Sequence, residues 1–406
     1  MQVLKILSQR VTVLSEAMQS TLKSLSATGI VVFAFAGGSF LLNPLPTAMA
    51  AAAPAMRFDL LPGMPPLLDP NNVYSASGAG MLSPVVKGMP SLVYVPNCKS
   101  DTVDIIDPAT YKIVGHFALP KHTKGLLEPQ HVIPSWDLKK LWVAQDLGDQ
   151  LTEIDPYTGK EGKTIHIDDP YNMYYTPDGK YAIVMAEREK RMDFRDAQTM
   201  QIVNRVPVNC LGVNHADFSP DGRFMIATCE FSNEIIKVDV AAQKVIGHLQ
   251  LTPKGMPQDC RLIPNGKLFY VANMDSNGVH VIDGVNFKQV AFVPTGKGAH
   301  GVYFSRDAKY AYISNRGEGT VSLMDVNTNT VAKKWVIPGG GSPDMGDVSA
   351  DGKSLWLSGR YNGEVYVFNT EDGSLRARIK VGKQPHGLCV YPQPGRYSLG
   401  HTGNMR

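Results

Sequence analysis

Histidine and aspartate side chains recur at matching places along this chain, each a few residues before a tight turn. The set that could hold a ligand comprises His131, His215, Gln258, Asp259, His300, Asp344 and His386. Imidazole and carboxylate groups are the ligands that a divalent transition metal or a haem iron takes from a protein. If the fold brings these residues together, they form a ligand or metal site.

Two alternatives use the same residues without a metal. Polar side chains at a channel mouth can satisfy one another and water, or they can bind an organic ligand. Four arginines follow the second strands of three blades and could hold a carboxylate or phosphate at the same opening, although exposed turn arginines are more often solvated: Arg188, Arg191, Arg316 and Arg360. We assign the first set, with Arg316 and Arg360, to ligand binding. The metal, the cofactor and any catalytic residue stay unassigned.

A repeated apolar strand positions these residues. It occurs seven times, as Val93-Tyr-Val-Pro-Asn97, Leu141-Trp-Val-Ala-Gln145, Ala182-Ile-Val-Met-Ala186, Met225-Ile-Ala-Thr-Cys229, Phe269-Tyr-Val-Ala-Asn273, Ala311-Tyr-Ile-Ser-Asn315 and Leu355-Trp-Leu-Ser-Gly359. Turns such as Pro177-Asp-Gly179 and Pro264-Asn-Gly266 precede it, and Asp-Gly and Asn-Gly supply the positive φ of short hairpins. The turns stand 41 to 44 residues apart. With four strands per unit, this period predicts propeller blades.

The two ends of the repeat predict how the ring closes. The repeat begins at a second strand near Ser91 and finishes with Pro385-His-Gly-Leu-Cys-Val-Tyr-Pro392, which matches a first strand. Because an unpaired edge would template aggregation, we expect the strand over 385–391 to complete the blade begun at Ser91. The prediction is an all-β, seven-bladed β-propeller over 91–395 whose N- and C-terminal strands share one blade. Residues 396–406 are assigned to a C-terminal tail.

The repeats resemble those of the Tyr-Val-Thr-Asn (YVTN) β-propeller family, with Tyr270-Val-Ala-Asn273 and Val279-His-Val-Ile-Asp283 the closest copies. The resemblance implies a secreted or periplasmic seven-bladed ring. It also implies a fold similar to the haem-binding propeller of periplasmic nitrite reductases and to lactonases. One chemistry is not implied, because propellers host many unrelated functions.

The first fifty residues have the layout of a cleavable secretory signal. A short apolar stretch follows Lys23, and Ala48-x-Ala50 fits the small-residue cleavage rule. We expect cleavage after Ala50, periplasmic or secreted localisation, and no membrane span afterwards, the alternative being an uncleaved N-terminal anchor. Residues 51–90, rich in Ala, Pro and Gly, are assigned to a linker that can partly pack on the domain.

Composition and motif searches narrow the function. The five cysteines form no C-x-x-C pair, and we expect most of them to fill strands as small apolar side chains. One disulfide is possible, and at least one thiol should stay unpaired within the monomer. A formal charge of +3 without a basic stripe makes nucleic acid an unlikely partner. No phosphate loop, nucleophile elbow or zinc-protease helix is found. We therefore expect an exported, non-catalytic binding or scaffold propeller for an unidentified small ligand or protein. The alternatives are a haem- or metal-dependent oxidoreductase and, with less support, a lactonase.

Overall fold

The described residues form seven antiparallel four-stranded sheets. In this computed structural model they are residues 59–122, 124–401 and 403–406, so the predicted signal peptide lies outside them. The seven sheets are the blades of a propeller, which confirms the predicted fold. Within the part of the chain that the structure describes, no helix has the length and apolar character needed to cross a bilayer.

Six blades consist of four consecutive strands each. Their bounds are β4 (Pro129–Pro134), β5 (Leu141–Gln145), β6 (Gln150–Asp155) and β7 (Lys160–His166); β8 (Pro170–Tyr175), β9 (Tyr181–Ala186), β10 (Arg191–Asp196) and β11 (Ile202–Pro207); β12 (Val213–Phe218), β13 (Phe224–Cys229), β14 (Glu234–Asp239) and β15 (Lys244–Gln250); β16 (Pro257–Leu262), β17 (Leu268–Asn273), β18 (Gly278–Asp283) and β19 (Lys288–Pro294); β20 (Ala299–Phe304), β21 (Tyr310–Asn315), β22 (Thr320–Asp325) and β23 (Thr330–Val336); β24 (Pro343–Val348), β25 (Ser354–Gly359), β26 (Glu364–Asn369) and β27 (Leu375–Lys380).

The remaining blade joins the two ends of the repeat. It consists of β1 (Leu92–Asn97), β2 (Thr102–Asp107), β3 (Lys112–Ala118) and, innermost, β28 (Cys389–Tyr391). Val93 pairs with Val390 and Tyr94 with Cys389. The predicted closure by the strand over 385–391 is therefore confirmed.

Local sequence explains both the strands and the turns. The inner strands are almost wholly buried, whereas an outermost strand such as β15 alternates between exposed and half-buried residues. Gly179 and Gly222 have φ of 71° in their hairpins, as the Asp-Gly pattern predicts. Ala308 takes the same role at φ 59°, although it is not glycine. The core lies between neighbouring blades, where Tyr174 and Phe194 pack with Phe218.

One face of the ring, here called the lower face, carries the turns between first and second strands and is covered by non-repeating chain. Residues 59–90 run across it and include a short 3₁₀-helix, Pro84–Val86. The Leu61 N–H donates to the Asp221 carbonyl at 2.7 Å, and the Val73 N–H donates to the Pro264 carbonyl at 2.8 Å. A second 3₁₀-helix, Glu230–Ser232, follows β13 on the opposite, upper face. The described part of the assigned linker, residues 59–90, thus packs against the ring.

Candidate functional site

The residues selected from the sequence meet in the channel at the centre of the ring. They lie on the innermost strands β4, β12, β16, β20 and β24, and in the segment before β28. His131, His215, Gln258, Asp259, His300, Asp344 and His386 are all buried. Arg316 and Arg360 follow β21 and β25 at the upper mouth of the channel. The structure thus brings the selected set together, and its ligand binding stays a prediction.

Four of the imidazoles pack directly against one another. The ring centroids of His131 and His386 are 4.8 Å apart, and those of His131 and His215 are 5.5 Å apart. His300 lies 5.8 Å from His386 and 6.4 Å from His215. Side chains from separate blades therefore form one continuous histidine cluster.

A fifth histidine, His401, comes from the segment assigned to a tail. Its ring lies 4.9 Å from those of both His131 and His215, and its backbone N–H donates to the Met173 carbonyl at 3.0 Å. One ring nitrogen from each of His131, His215 and His401 lies within 4.8 Å of the other two. We call this group the tri-imidazole site. The comparison of repeats within the chain did not include His401, because residue 401 lies after the last repeat.

Gly387 makes room for His131. A Cβ atom at Gly387 would stand only 2.0 Å from Nδ1 of His131. A side chain at this position would force the imidazole to move, so the Pro-His-Gly sequence of the closing strand supplies one histidine and leaves room for another.

Half of the ring nitrogens in this cluster are buried without a hydrogen bond to the described residues. Among the described residues, both ring nitrogens of His131, Nε2 of His215 and His401, and Nδ1 of His386 lack a partner. The Asn172 amide holds the other side of two rings, with its Nδ2 3.2 Å from Nδ1 of His215 and 3.0 Å from Nδ1 of His401. Buried polar atoms without partners are costly, and native proteins contain few of them.

Burial also fixes the charge state of the cluster. It lowers the pKa of His215 to about 3 and holds the pKa values of His131, His300, His386 and His401 well below the ordinary histidine range. The imidazoles are therefore neutral at physiological pH. Neutral imidazole is the form that binds metal ions.

The two channel carboxylates are already paired with arginines. Oδ1 of Asp344 accepts from Nε of Arg316 at 2.9 Å and lies 3.0 Å from Nδ1 of His300. Asp259 lies 3.3 Å from Nε of Arg261 and accepts the Val302 N–H at 2.9 Å. The carboxylate charge is thus balanced by neighbouring guanidinium groups. Among the described residues, Oδ1 of Asp259 and Oδ2 of Asp344 lack hydrogen-bond partners, as several histidine nitrogens do, so both kinds of atom remain available to a ligand.

The lower end of the channel is sealed by residues 397–401 and 403–406. Ser398 pairs with Met405, and Nη2 of Arg406 reaches both carboxylate oxygens of Asp217, at 2.8 and 2.9 Å. The Arg406 guanidinium also lies 4.5 Å from the ring centre of Tyr74, which belongs to the segment on the lower face. The assigned tail is therefore a buried floor of the channel.

Tyr171 covers the cluster at the upper end. Its ring lies 5.6 Å from that of His131 and 6.0 Å from that of His215. The charges of Glu187, Glu230, Arg316 and Arg360 all act on its hydroxyl. Burial, reinforced by the charge of Glu230, raises the pKa of Glu187 to about 9. At neutral pH the upper mouth therefore combines the positive charges of Arg316 and Arg360 with a protonated Glu187.

The other arginines considered from the sequence are engaged elsewhere. Nε of Arg188 donates to Asp169 at 2.8 Å, and Nε of Arg191 donates to Asp193 at the same distance. The salt bridges of Arg188 and Arg191 make them structural. Cys210 and Cys229 form a disulfide at the upper face of the blade that begins with β12, while Cys98, Cys260 and Cys389 are buried free thiols.

A protein-family model, the YncE-like β-propeller, matches residues 68–395. This chain belongs to the YncE-like β-propeller family. The uncharacterised protein YncE of Salmonella typhimurium is 22% identical over 292 residues, which cover 64% of this chain and 75% of YncE. The YncE protein of Salmonella typhi matches over the same length with the same identity. The family model shows the family, and these uncharacterised relatives do not indicate a particular reaction or ligand.

Solved structures with the same fold have diverse activities. Hydrazine synthase of Kuenenia stuttgartiensis matches with a TM-score of 0.59 at 19% identity, over 74% of this chain and 97% of that one. The dihydro-haem d1 dehydrogenase NirN matches with a TM-score of 0.56 at 16% identity, over 81% of this chain and 82% of that one. A putative 6-phosphogluconolactonase of Bacteroides fragilis gives 0.60 at 17%, over 75% and 98%. At these identities the likeness shows the fold alone.

Proposed function

We propose that this chain is an exported, non-catalytic binding propeller whose ligand is a transition-metal ion held at the tri-imidazole site. One observation carries the proposal: His131, His215 and His401 converge in a closed channel with ring nitrogens that lack hydrogen-bond partners among the described residues. A metal ion would satisfy these nitrogens together. Three imidazoles are a common ligand set for zinc and copper.

The burial of the site favours binding over catalysis. Catalytic metal sites keep one coordination position open to water or substrate. Here the floor closes the channel below and Tyr171 covers it above, and each of the five histidines is at most 1% exposed. A substrate larger than the ion has no path to the tri-imidazole site in this conformation. The arrangement supports storage or delivery of an ion.

The channel does not fit haem. The imidazole centroids are 4.8 to 6.4 Å apart, so no gap between the rings admits a porphyrin macrocycle. A haem lying over the mouth would need an imidazole at the surface, and the five histidines of the cluster are buried. The lactonase alternative also lacks support, because Asp259 and Asp344 are paired with arginines. Neither activity is proposed for this chain.

Export is supported by two independent features. The sequence of the first fifty residues fits a cleavable signal, and Cys210 forms a disulfide with Cys229. Disulfides persist in oxidising compartments and are rare in the reducing cytosol. Cell fractionation and N-terminal sequencing would test export, with a mature protein that begins at Ala51 as the expected result. A full-length chain recovered only from the cytoplasm would contradict it.

Metal titration of the chelator-stripped protein tests the proposed site. We expect the protein to bind one Co²⁺ or Zn²⁺ ion, followed by the visible bands of bound Co²⁺ and by elemental analysis. His215→Ala and His401→Ala should each weaken binding by at least about 100-fold, since loss of groups that merely orient ligands already costs 10–100-fold.

His166→Ala is the matched control, because His166 lies on the outer strand β7 with its side chain 76% exposed. It should bind the ion as the unmodified protein does. Circular dichroism would confirm that the channel variants fold. A folded protein that takes up none of these ions, or whose affinity is unaffected by both channel substitutions, would refute the proposed function.

A further inference from the structure

The tri-imidazole site has a neighbour of different chemistry. One donor atom from each of His300, Asp344 and His386 lies within 4.8 Å of the other two. The Met345 thioether joins this group, since its Sδ lies 3.0 Å from Nδ1 of His300. We call His300, Met345 and His386 the thioether site. The proposed function does not use it.

Met345 is held in place with its sulfur in the channel. It is fully buried, and the Tyr303 hydroxyl donates to Sδ at 3.5 Å. Tyr303 is itself fixed, because its hydroxyl accepts the Gly346 N–H at 2.8 Å. A methionine that only filled space would need no polar partner at its sulfur. This thioether is oriented beside the imidazole of His300. Nε2 of His386 lies 3.7 Å from Oδ2 of Asp344, and its Nδ1 lacks a hydrogen-bond partner among the described residues.

The charges around the thioether site favour a monovalent ion. Asp344 is the carboxylate in contact with the site, and Arg316 and Arg360 approach it to 2.8 and 4.0 Å. The two imidazoles and the thioether are neutral, and the single carboxylate, Asp344, faces two guanidinium groups, so the surroundings carry no excess of negative charge. Repulsion by the arginines and the cost of burying an ion both grow with ionic charge. A divalent ion is therefore penalised more strongly here than a monovalent one.

We propose that His300, Met345 and His386 form a second metal site that is selective for monovalent copper. Thioether ligands favour Cu(I), and this ion accepts a low number of neutral ligands. The inference goes beyond the proposed function, because it concerns different ligands and a different ion. The protein then holds copper at the thioether site beside the ion at the tri-imidazole site.

An anaerobic Cu(I) titration against a chromophoric Cu(I) chelator tests the second site. We expect the unmodified full chain to retain a Cu(I) ion that Zn²⁺ in excess does not displace. Met345→Leu keeps the volume of the side chain and removes the sulfur. It should weaken this Cu(I) binding by at least about tenfold, at little cost to stability, because exchanges between methionine and leucine are well tolerated.

Met324→Leu is the matched control, since Met324 is equally buried in the core between blades. It should bind Cu(I) as the unmodified protein does. X-ray absorption at the copper edge gives a readout that does not depend on affinity: a sulfur neighbour should be present in the unmodified protein and in Met324→Leu, and missing from Met345→Leu. Tyr303→Phe should weaken Cu(I) binding less than Met345→Leu, because Tyr303 only positions the thioether.

The outcomes separate the two proposals. Equal Cu(I) affinity in the unmodified protein and Met345→Leu, or a copper spectrum without sulfur, overturns the thioether site and leaves the tri-imidazole site standing. A second outcome is that Met345→Leu weakens Cu(I) binding while His215→Ala and His401→Ala leave Zn²⁺ affinity unchanged. This result supports the thioether site and overturns the proposed function. A folded protein that binds no metal overturns both.

Discussion

The two ends of the channel are built by different means. At the upper end, turns of the repeat bring polar side chains such as Glu187 and Arg360 to a mouth covered by one tyrosine. At the lower end, chain that has no repeat seals the channel and contributes His401 and Arg406 from one hairpin. The repeat therefore forms the walls of the site, whereas the floor and one of the candidate metal-binding residues, His401, come from sequence that does not repeat.

Two C-terminal truncations, one that removes a wall strand with the floor and one that removes the floor alone, should have the largest effects on folding. A chain that stops after Lys383 lacks β28 and leaves the inner edge of β1 unpaired, so we expect no cooperative unfolding transition by circular dichroism. A chain that stops after Pro394 keeps β28 and loses only the floor. It should still fold, with a melting temperature lower by on the order of 10 °C. If both truncations fail to fold, the floor is as essential as the wall.

Breaking the ion pair at the floor is the next largest expected change. Arg406→Met leaves the carboxylate of Asp217 buried, and removing one partner of a buried pair costs about 3–5 kcal/mol. Adding Asp217→Asn should recover part of the loss. Lys309→Met is the control on the same face, because Lys309 and Asp307 are exposed and such pairs contribute about 0–1 kcal/mol. Urea denaturation measures all three, and equal losses at the two sites would contradict a tightly held floor.

The disulfide offers a smaller test at the upper end. Cys210 and Cys229 are 19 residues apart, and closing a loop of this size stabilises a protein by about 3 kcal/mol. A reductant should lower the denaturation midpoint of the unmodified protein. It should leave unchanged the midpoint of a variant with alanine at both positions. Sensitivity to reductant in that variant would show that another thiol is responsible.

The smallest expected effect is a pH dependence at the upper mouth. Glu187 has a pKa of about 9 in the folded protein against an ordinary value of 4.5. Between these values the folded state holds a proton that the unfolded state releases, so stability falls as pH rises. Glu187→Gln removes this loss and should gain on the order of 1–2 kcal/mol relative to the unmodified protein between pH 5 and 8.5.

Thermal melts at the two pH values measure this difference. Glu371→Gln, on an exposed turn, is the control and should melt like the unmodified protein at both values. A Glu187→Gln protein that shows no relative gain at high pH would mean that the carboxyl is solvated at the mouth. The upper end would then be more open than the structure indicates.

The sequence was sufficient to predict the ring, its closure and four of the five histidines. These predictions succeeded because strand alternation and turn chemistry repeat, so that equivalent positions can be aligned without coordinates. His131, His215, His300 and His386 share such positions, and the structure brings them together.

The floor could not be predicted in the same way. His401 and Arg406 lie in a short irregular segment whose contacts with Met173 and Asp217 span distant parts of the chain. No local pattern encodes such contacts. The ion-pair partners of Asp259 and Asp344 could not be predicted either, because the sequence does not show which arginine will lie beside which carboxylate. The packing of residues 59–90 on the lower face has no periodic signal either.

The pairing of β28 with β1 also sets the order in which the molecule can be completed. While the chain is being made, the blade that contains β1 has three strands, and it stays so until the ribosome has added residue 391. Six blades can form in succession before this, with an open gap between the first and the last. The ring, and with it the enclosure of the histidines, is therefore completed only near the end of chain synthesis.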